Sequence, residues 1–202
     1  MAYPTVNGPY GLVPVNLIGG HPFAGSVRMI PIASAYNATL YNGDPVKFTS
    51  TGTLITSGLA YGSAATETGG TLGVFLGCEY SPASGPIYGK LHAQKWTAST
   101  VASDAMAYVC DDPDALFQIQ ANGSVAQTSL GANFPVIQTA GSTTTGDSKI
   151  ALNASGGNTT STIAFRLVDF VNGPFSTVGD AYTDCIVKFN HGQHSYYNAT
   201  GV

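Results

Sequence analysis

Turn-forming residues interrupt this chain so regularly that no stretch of twelve residues keeps a helical period. Gly, Asn, Asp and Pro punctuate short apolar runs at spacings of about eight to twelve residues, the texture of an all-β sandwich or barrel. In "TLGVFLGCEY", alternation predicts that Leu72, Val74, Leu76, Cys78 and Tyr80 share one strand face. "PIYGKLHAQKW" alternates too, with Ile87, Leu91 and Ala93 opposite Lys90, His92 and Gln94. "PVKFTSTGTLITS" predicts a hairpin closing over "STGT", and "DAMAYVC", "ALFQIQ", "TIAFRLVDFV" and "DCIVKF" predict further strands, the last two closing the domain. "STTTGDSKIALNASGGNTTST" reads as a long polar hairpin region. Helix is expected only as a single turn in "SAYNATLY" and a short piece in "GSVAQTSLGANF". With no internal repeat, a solenoid or propeller is not expected.

Five prolines, Pro4, Pro9, Pro14, Pro22 and Pro31, fall in the first 31 residues. Proline fixes φ and removes a donor, so this segment should run extended, in polyproline or edge-strand geometry. It also carries Tyr10, Leu12, Val13, Val15, Leu17, Ile18 and Phe23, too apolar for a solvated tail. Such an arm wraps its own domain or reaches a neighbouring subunit. The expected organisation is an arm over 1–31, one β domain over 32–189 and a polar, aromatic tail over 190–202. At 202 residues one domain buries enough surface to hold a core without staples.

Charge is scarce: 9% of residues, against about 25% in an ordinary soluble domain. The 22 Thr and 17 Ser outnumber all acids and bases together. Little self-repulsion opposes association of such a surface, which suits a protein working within an assembly or outside a cell. A net charge of −4 with seven scattered Lys and Arg argues against nucleic-acid binding. The N-terminal sequence lacks a basic, apolar leader, and no run approaches a membrane span, so folding in a reducing cytoplasm is expected. Cys78, Cys110 and Cys185 each lie in an apolar run and read as buried free thiols.

Candidate chemistry is thin. Asp111, Asp112 and Asp114 crowd into "CDDPDA", yet the glycine and distal glutamate of a calcium loop are missing. Asp-Pro initiates turns, so the cluster is expected to bend the chain between two strands, with Phe117 and Ile119 then inward and Gln118 and Gln120 outward. His191 and His194 have the spacing of half a zinc site, but no Cys pair or nearby third His completes it. "GSTTTGDSK" nearly spells a phosphate loop, with Asp147 standing where the lysine belongs. No nucleophile elbow occurs. Five N-x-S/T sequons follow from composition. No catalytic residue, metal ligand or cofactor site is expected, and the chain does not read as an enzyme.

The order of segments carries a resemblance. "YGLVPVNLIGG" is followed by "NGDPV", "GTLGVFLGCEY", "DDPDALFQIQANG", "TTTGDSKIALNASG", "FRLVDFV" and "VKFNHGQHSYYNATG". Over roughly residues 10 to 200 this resembles the head decoration, or cement, proteins of tailed bacteriophages of marine and cyanobacterial type. The resemblance implies a β-rich virion protein, synthesised in the host cytoplasm, that binds the outer surface of a phage head and stabilises contacts between capsomers. The implied partners are the major capsid protein and other copies of the chain, with a trimer favoured by matching three-fold sites. Contacts are expected from Tyr10, Leu12, Val13, Val15, Leu17, Ile18 and Phe23, and from Tyr196 and Tyr197 in the tail. Deleting residues 2–20 is expected to abolish head binding while leaving the sheet intact. A phage tail, baseplate or fibre protein would share this composition. A carbohydrate-binding module would need an exposed aromatic cluster, for which Tyr88, Trp96, Tyr196 and Tyr197 are the candidates. A hydrolase, the weakest alternative, would need acids or a triad converging in a cleft.

Overall fold

The computed structural model describes residues 6–57, 71–83 and 89–190, and nearly all the regular structure in them is β. The strands are β1 (Val13–Leu17), β2 (Arg28–Pro31), β3 (Pro45–Phe48), β4 (Leu54–Thr56), β5 (Gly73–Tyr80), β6 (Leu91–Ala93) and β7 (Met106–Cys110). They continue as β8 (Ala115–Gln120), β9 (Asn133–Phe134), β10 (Val136–Ile137), β11 (Ala151–Leu152), β12 (Phe165–Phe170) and β13 (Asp184–Phe189). The two helical pieces are single 3-10 turns, Gln127–Ser129 and Ala154–Gly156. The first lies in "GSVAQTSLGANF" as expected. "SAYNATLY" makes only a tight turn, in which the Tyr36 amide donates to the Ala33 carbonyl.

Two curled antiparallel sheets carry the fold. The first has the order β2-β7-β5-β3-β4, with β6 attached to β5. A parallel bridge from Ile32 to Leu54 draws its two ends together, so it wraps a core of Ile30, Leu40, Val46, Phe75, Val109 and Trp96. Trp96 is fully buried and meets Tyr80 edge-on, with ring centroids 5.4 Å apart. The second sheet runs β1-β8-β13-β12-β9. Beyond Pro135, β9 leads into β10; β10 pairs with β11, and Leu152 of β11 bridges to Ala121 just past β8. This sheet therefore also curls, around Leu12, Phe117, Ile119, Phe134, Phe165 and Val187.

The hairpin over "STGT" forms as expected, with Val46, Lys47 and Phe48 opposite Thr56, Ile55 and Leu54. "FRLVDF" and "DCIVKF" pair as β12 and β13. The long polar hairpin does not form. Residues 136–137 and 151–152 pair with each other instead, and Asn153 caps the second 3-10 turn through a bond from the Ser155 amide. The single face assigned to β5 is also overturned. A bulge between Phe75 and Gly77 shifts its register against β7. Val74 and Leu76 pack into the second core, whereas Cys78 and Tyr80, beyond the bulge, pack into the first; Phe75, on the opposite face, and Leu72, ahead of the strand, also pack into the first. An extra residue in a ladder inverts every facing after it. Gly77 accepts the bulge because its φ is 144° and the Ala93 carbonyl would lie 3.1 Å from any Cβ there.

Candidate interaction surface

The leading segment does not stand apart from the body. Its described part, residues 6–31, contributes β1 to the edge of one sheet and β2 to the other. Edge placement is what its prolines predict: Pro14 sits opposite Phe117 in β1, and a sheet edge tolerates the missing donor. Leu12 is fully buried, and its amide donates to the Gly43 carbonyl at 3.0 Å. Leu17 and Phe23 pack half-buried against the same core. Leu12, expected among the contacts, is thus taken up wholly by its own chain, and Leu17 and Phe23 in part. The reason lies outside the segment: β8 has a free side, and the arm fills it.

Ahead of Leu12 the anchoring is polar. Tyr10 donates its hydroxyl to Asp184 Oδ1 and accepts from Gln118 Nε2, both at 2.9 Å. Burial, with the Asp184 carboxylate beside it, raises the Tyr10 pKa, so the phenol stays protonated. Gln120 accepts from the Gly8 amide at 2.8 Å and donates to the Val6 carbonyl at 3.1 Å. One side-chain amide thus pairs residues 6–8 as a neighbouring strand would. Gln120 was expected to face outward, and it does, but this cover leaves it buried. Val13 lies opposite Gln118 and shares its outward face; Val13 and Ile18 remain 43% and 54% exposed, and Val15 is half-buried. The outer side of β1 is partly closed, since Phe23 donates to the Val15 carbonyl and Leu17 to that of His21. Tyr196 and Tyr197 lie outside the described residues, as do His191 and His194.

A second apolar feature escaped the sequence reading. Phe175, in the β12–β13 connection, is 81% exposed. It sits on a turn closed by the Gly173 amide donating to the Ser176 carbonyl at 2.9 Å, with Pro174 fixing φ beside it. Ser176 is itself buried, and its hydroxyl accepts from the Asp184 amide at 3.1 Å. Asp184 pairs across the ladder with Gln120, which holds Val6, 76% exposed. Val6 and Phe175 are therefore displayed from one anchored corner of the second sheet. The signal available in sequence was "NGPFS", a turn motif carrying an aromatic where turns usually carry small or polar residues.

Asp111, Asp112 and Asp114 do what the Asp-Pro step predicts. They occupy the connection where the chain leaves the first sheet at β7 and enters the second at β8. Asp112 Oδ1 accepts from the Asp114 amide at 2.9 Å. Asp111 binds Arg28 at 2.7 Å and Asp114 lies 3.6 Å from Lys188, so two of the three carboxylates face cations across the turn. No cluster of metal-ligating side chains occurs among the described residues.

The densest polar constellation crosses β5, β6 and β7. Glu79 receives Lys90 Nζ at 2.5 Å and the Tyr108 hydroxyl at 2.7 Å, and His92 Nδ1 lies 3.6 Å away. Bonds from Lys90 and Tyr108 hold the Glu79 carboxyl below the usual carboxylate range, and the same hydrogen bonds, with the Glu79 charge, raise the pKa of Lys90 and Tyr108. Acid, base and phenol are each locked in their ordinary neutral-pH states, which suits a cross-strand bracket rather than proton transfer near pH 7. Burial pushes the thiols of Cys78, Cys110 and Cys185 up to about 12, so none is poised as a nucleophile. Trp96, wholly enclosed, cannot serve as a sugar-stacking platform. No described helix is long and apolar enough to cross a membrane.

Comparison with family models, curated proteins and solved structures gave no match.

Proposed function

We propose that the chain is a structural virion protein that binds the outer surface of a phage head and strengthens contacts between capsomers, with the major capsid protein and further copies of itself as partners. The observation that carries this reading is that Val6 and Phe175, 76% and 81% exposed, lie beside anchored backbone: Gln120 bonds the Val6 carbonyl, and Ser176, next to Phe175, accepts from the Asp184 amide. A fold does not hold an aromatic ring in solvent for its own stability; rigid aromatic anchors of this kind dominate interface energetics. Val13 in edge strand β1 and Ile18 just beyond it add further apolar area. The surrounding surface is poor in charge, so association meets little electrostatic resistance. A shell-binding subunit needs about 800 Å² of contact per partner rather than a reactive cleft, and a trimer matches the three-fold positions of an icosahedral lattice.

Co-sedimentation with heads lacking the protein tests this reading. The wild-type chain should pellet with the heads, and a Val6→Ser, Phe175→Ser double variant should remain in the supernatant with an unchanged circular dichroism spectrum. Equal pelleting of both would refute the assigned surface, and failure of the wild type to pellet would refute the function.

A further inference from the structure

A groove of about 450 Å³ separates the leading segment from the second sheet, lined by Asn7, Gly8 and Pro9 on one side and by Asn122, Ile137, Thr139, Lys149 and Ala151 on the other. Its volume lies within the range of about 300–1,000 Å³ usual for small-molecule sites. Four features of its lining select a ligand. It contains one cation and no carboxylate, in a protein whose net charge is −4. The Lys149 ammonium, like that of Lys47, makes no hydrogen bond or ion pair among the described residues, whereas Arg28, Lys90 and Lys188 each face an acid. Asn122 Oδ1 is already engaged by the Ala154 amide at 2.8 Å, so what its carboxamide offers a ligand is the donor nitrogen. Pro9, Ile137 and Ala151 supply an apolar wall, which a bare inorganic anion would leave unused.

We infer that this groove is a binding site for an acidic sugar residue of the uronate type. The carboxylate meets the Lys149 ammonium in a charge-assisted bond. The hydroxyls take the donors of Asn122 and Asn7 and the Thr139 hydroxyl, and the carbon face of the ring lies on Ile137 and Ala151. Aromatic stacking plays no part, so the buried state of Trp96 does not bear on this site, and neither does shell binding.

Titration of the isotope-labelled full-length protein with glucuronate, glucose, acetate and a glutamate-rich peptide, followed by amide NMR, tests the assignment. Glucuronate should shift the amides of Gly8, Asn122, Thr139 and Ala151 saturably. Glucose and acetate should each bind at least about tenfold more weakly, because each lacks half of the recognised chemistry. Lys149→Gln, at an exposed position, should keep the spectrum of the folded protein and weaken glucuronate to the level of glucose. Absence of saturable shifts with glucuronate, unchanged affinity in the Lys149 variant, acetate binding as tightly as glucuronate, or tighter binding of the acidic peptide would each overturn the proposal.

Discussion

Truncating Leu12 to alanine would empty a wholly enclosed position beneath β1, and cavities of this kind cost about 2–5 kcal/mol. Urea denaturation should show that loss as a lower midpoint with an unchanged slope; a change below about 1 kcal/mol would mean that the arm does not belong to the core. Phe175→Ser should behave in the opposite way, leaving stability within about 0.5 kcal/mol, as surface changes usually do, while removing shell binding. The three buried thiols give a further check. Burial raises all three thiol pKa values to about 12, so at pH 8 almost none is ionised. Ellman's reagent should therefore label none in the native protein within minutes and all three after unfolding; rapid native labelling would contradict the burial. At this scale the sequence was readable where one side chain meets one local rule, as at Asp112-Pro113 or at the cysteines in apolar runs. It was unreadable for Leu12 and Phe175. Both are apolar residues among turn formers, and only distant β8 and Asp184 decide that one is buried and the other displayed.

Among the elements, β5 has the most exacting position, since it feeds both cores and pairs with β3, β6 and β7. A Cβ built on Gly73 would overlap the Cys110 carbonyl, so Gly73→Ala should force β5 and β7 apart and cost about 1–3 kcal/mol or more, seen as a lowered melting temperature. The Glu79 bracket ties β5 to β6 and β7 and gives acid stability a definite sign. The folded carboxyl titrates below its unfolded value, so its contribution is present above the ordinary carboxylate range and is lost as pH falls through the folded pKa. Glu79→Gln should lower the melting temperature at pH 7 and flatten its decline between about pH 5 and pH 3. An unchanged acid slope would show that Lys90 and Tyr108 do not bond it in solution. Strands with clean alternation, such as β6 and β13, were legible, because one face meets water. The β5 bulge was not, because alternation counts residues and a bulge inserts one without altering their composition.

For the molecule as a whole, the all-β class and the two closing strands followed from turn spacing, whereas their pairing and the two curled sheets depend on distant contacts such as the Ile32–Leu54 and Ala121–Leu152 bridges, which no local pattern encodes. The same closure corrects the truncation experiment. Removing residues 2–20 takes away Leu12 and all of β1, so it should unfold the second sheet; removing residues 2–7 spares Tyr10 and the core. The shorter deletion should retain the β-sheet spectrum and weaken shell binding. The proposal is that exposed apolar side chains of the second sheet and its connections make the contacts with the outside of a phage shell. A cryo-electron-microscopy map of the virion carrying the protein tests that most directly. The expected map shows density for the protein on the outer head surface at capsomer junctions, with Val6, Val13, Ile18 and Phe175 enclosed at the contacts. Copies missing from the head, or seated there with those side chains turned to solvent, would contradict it.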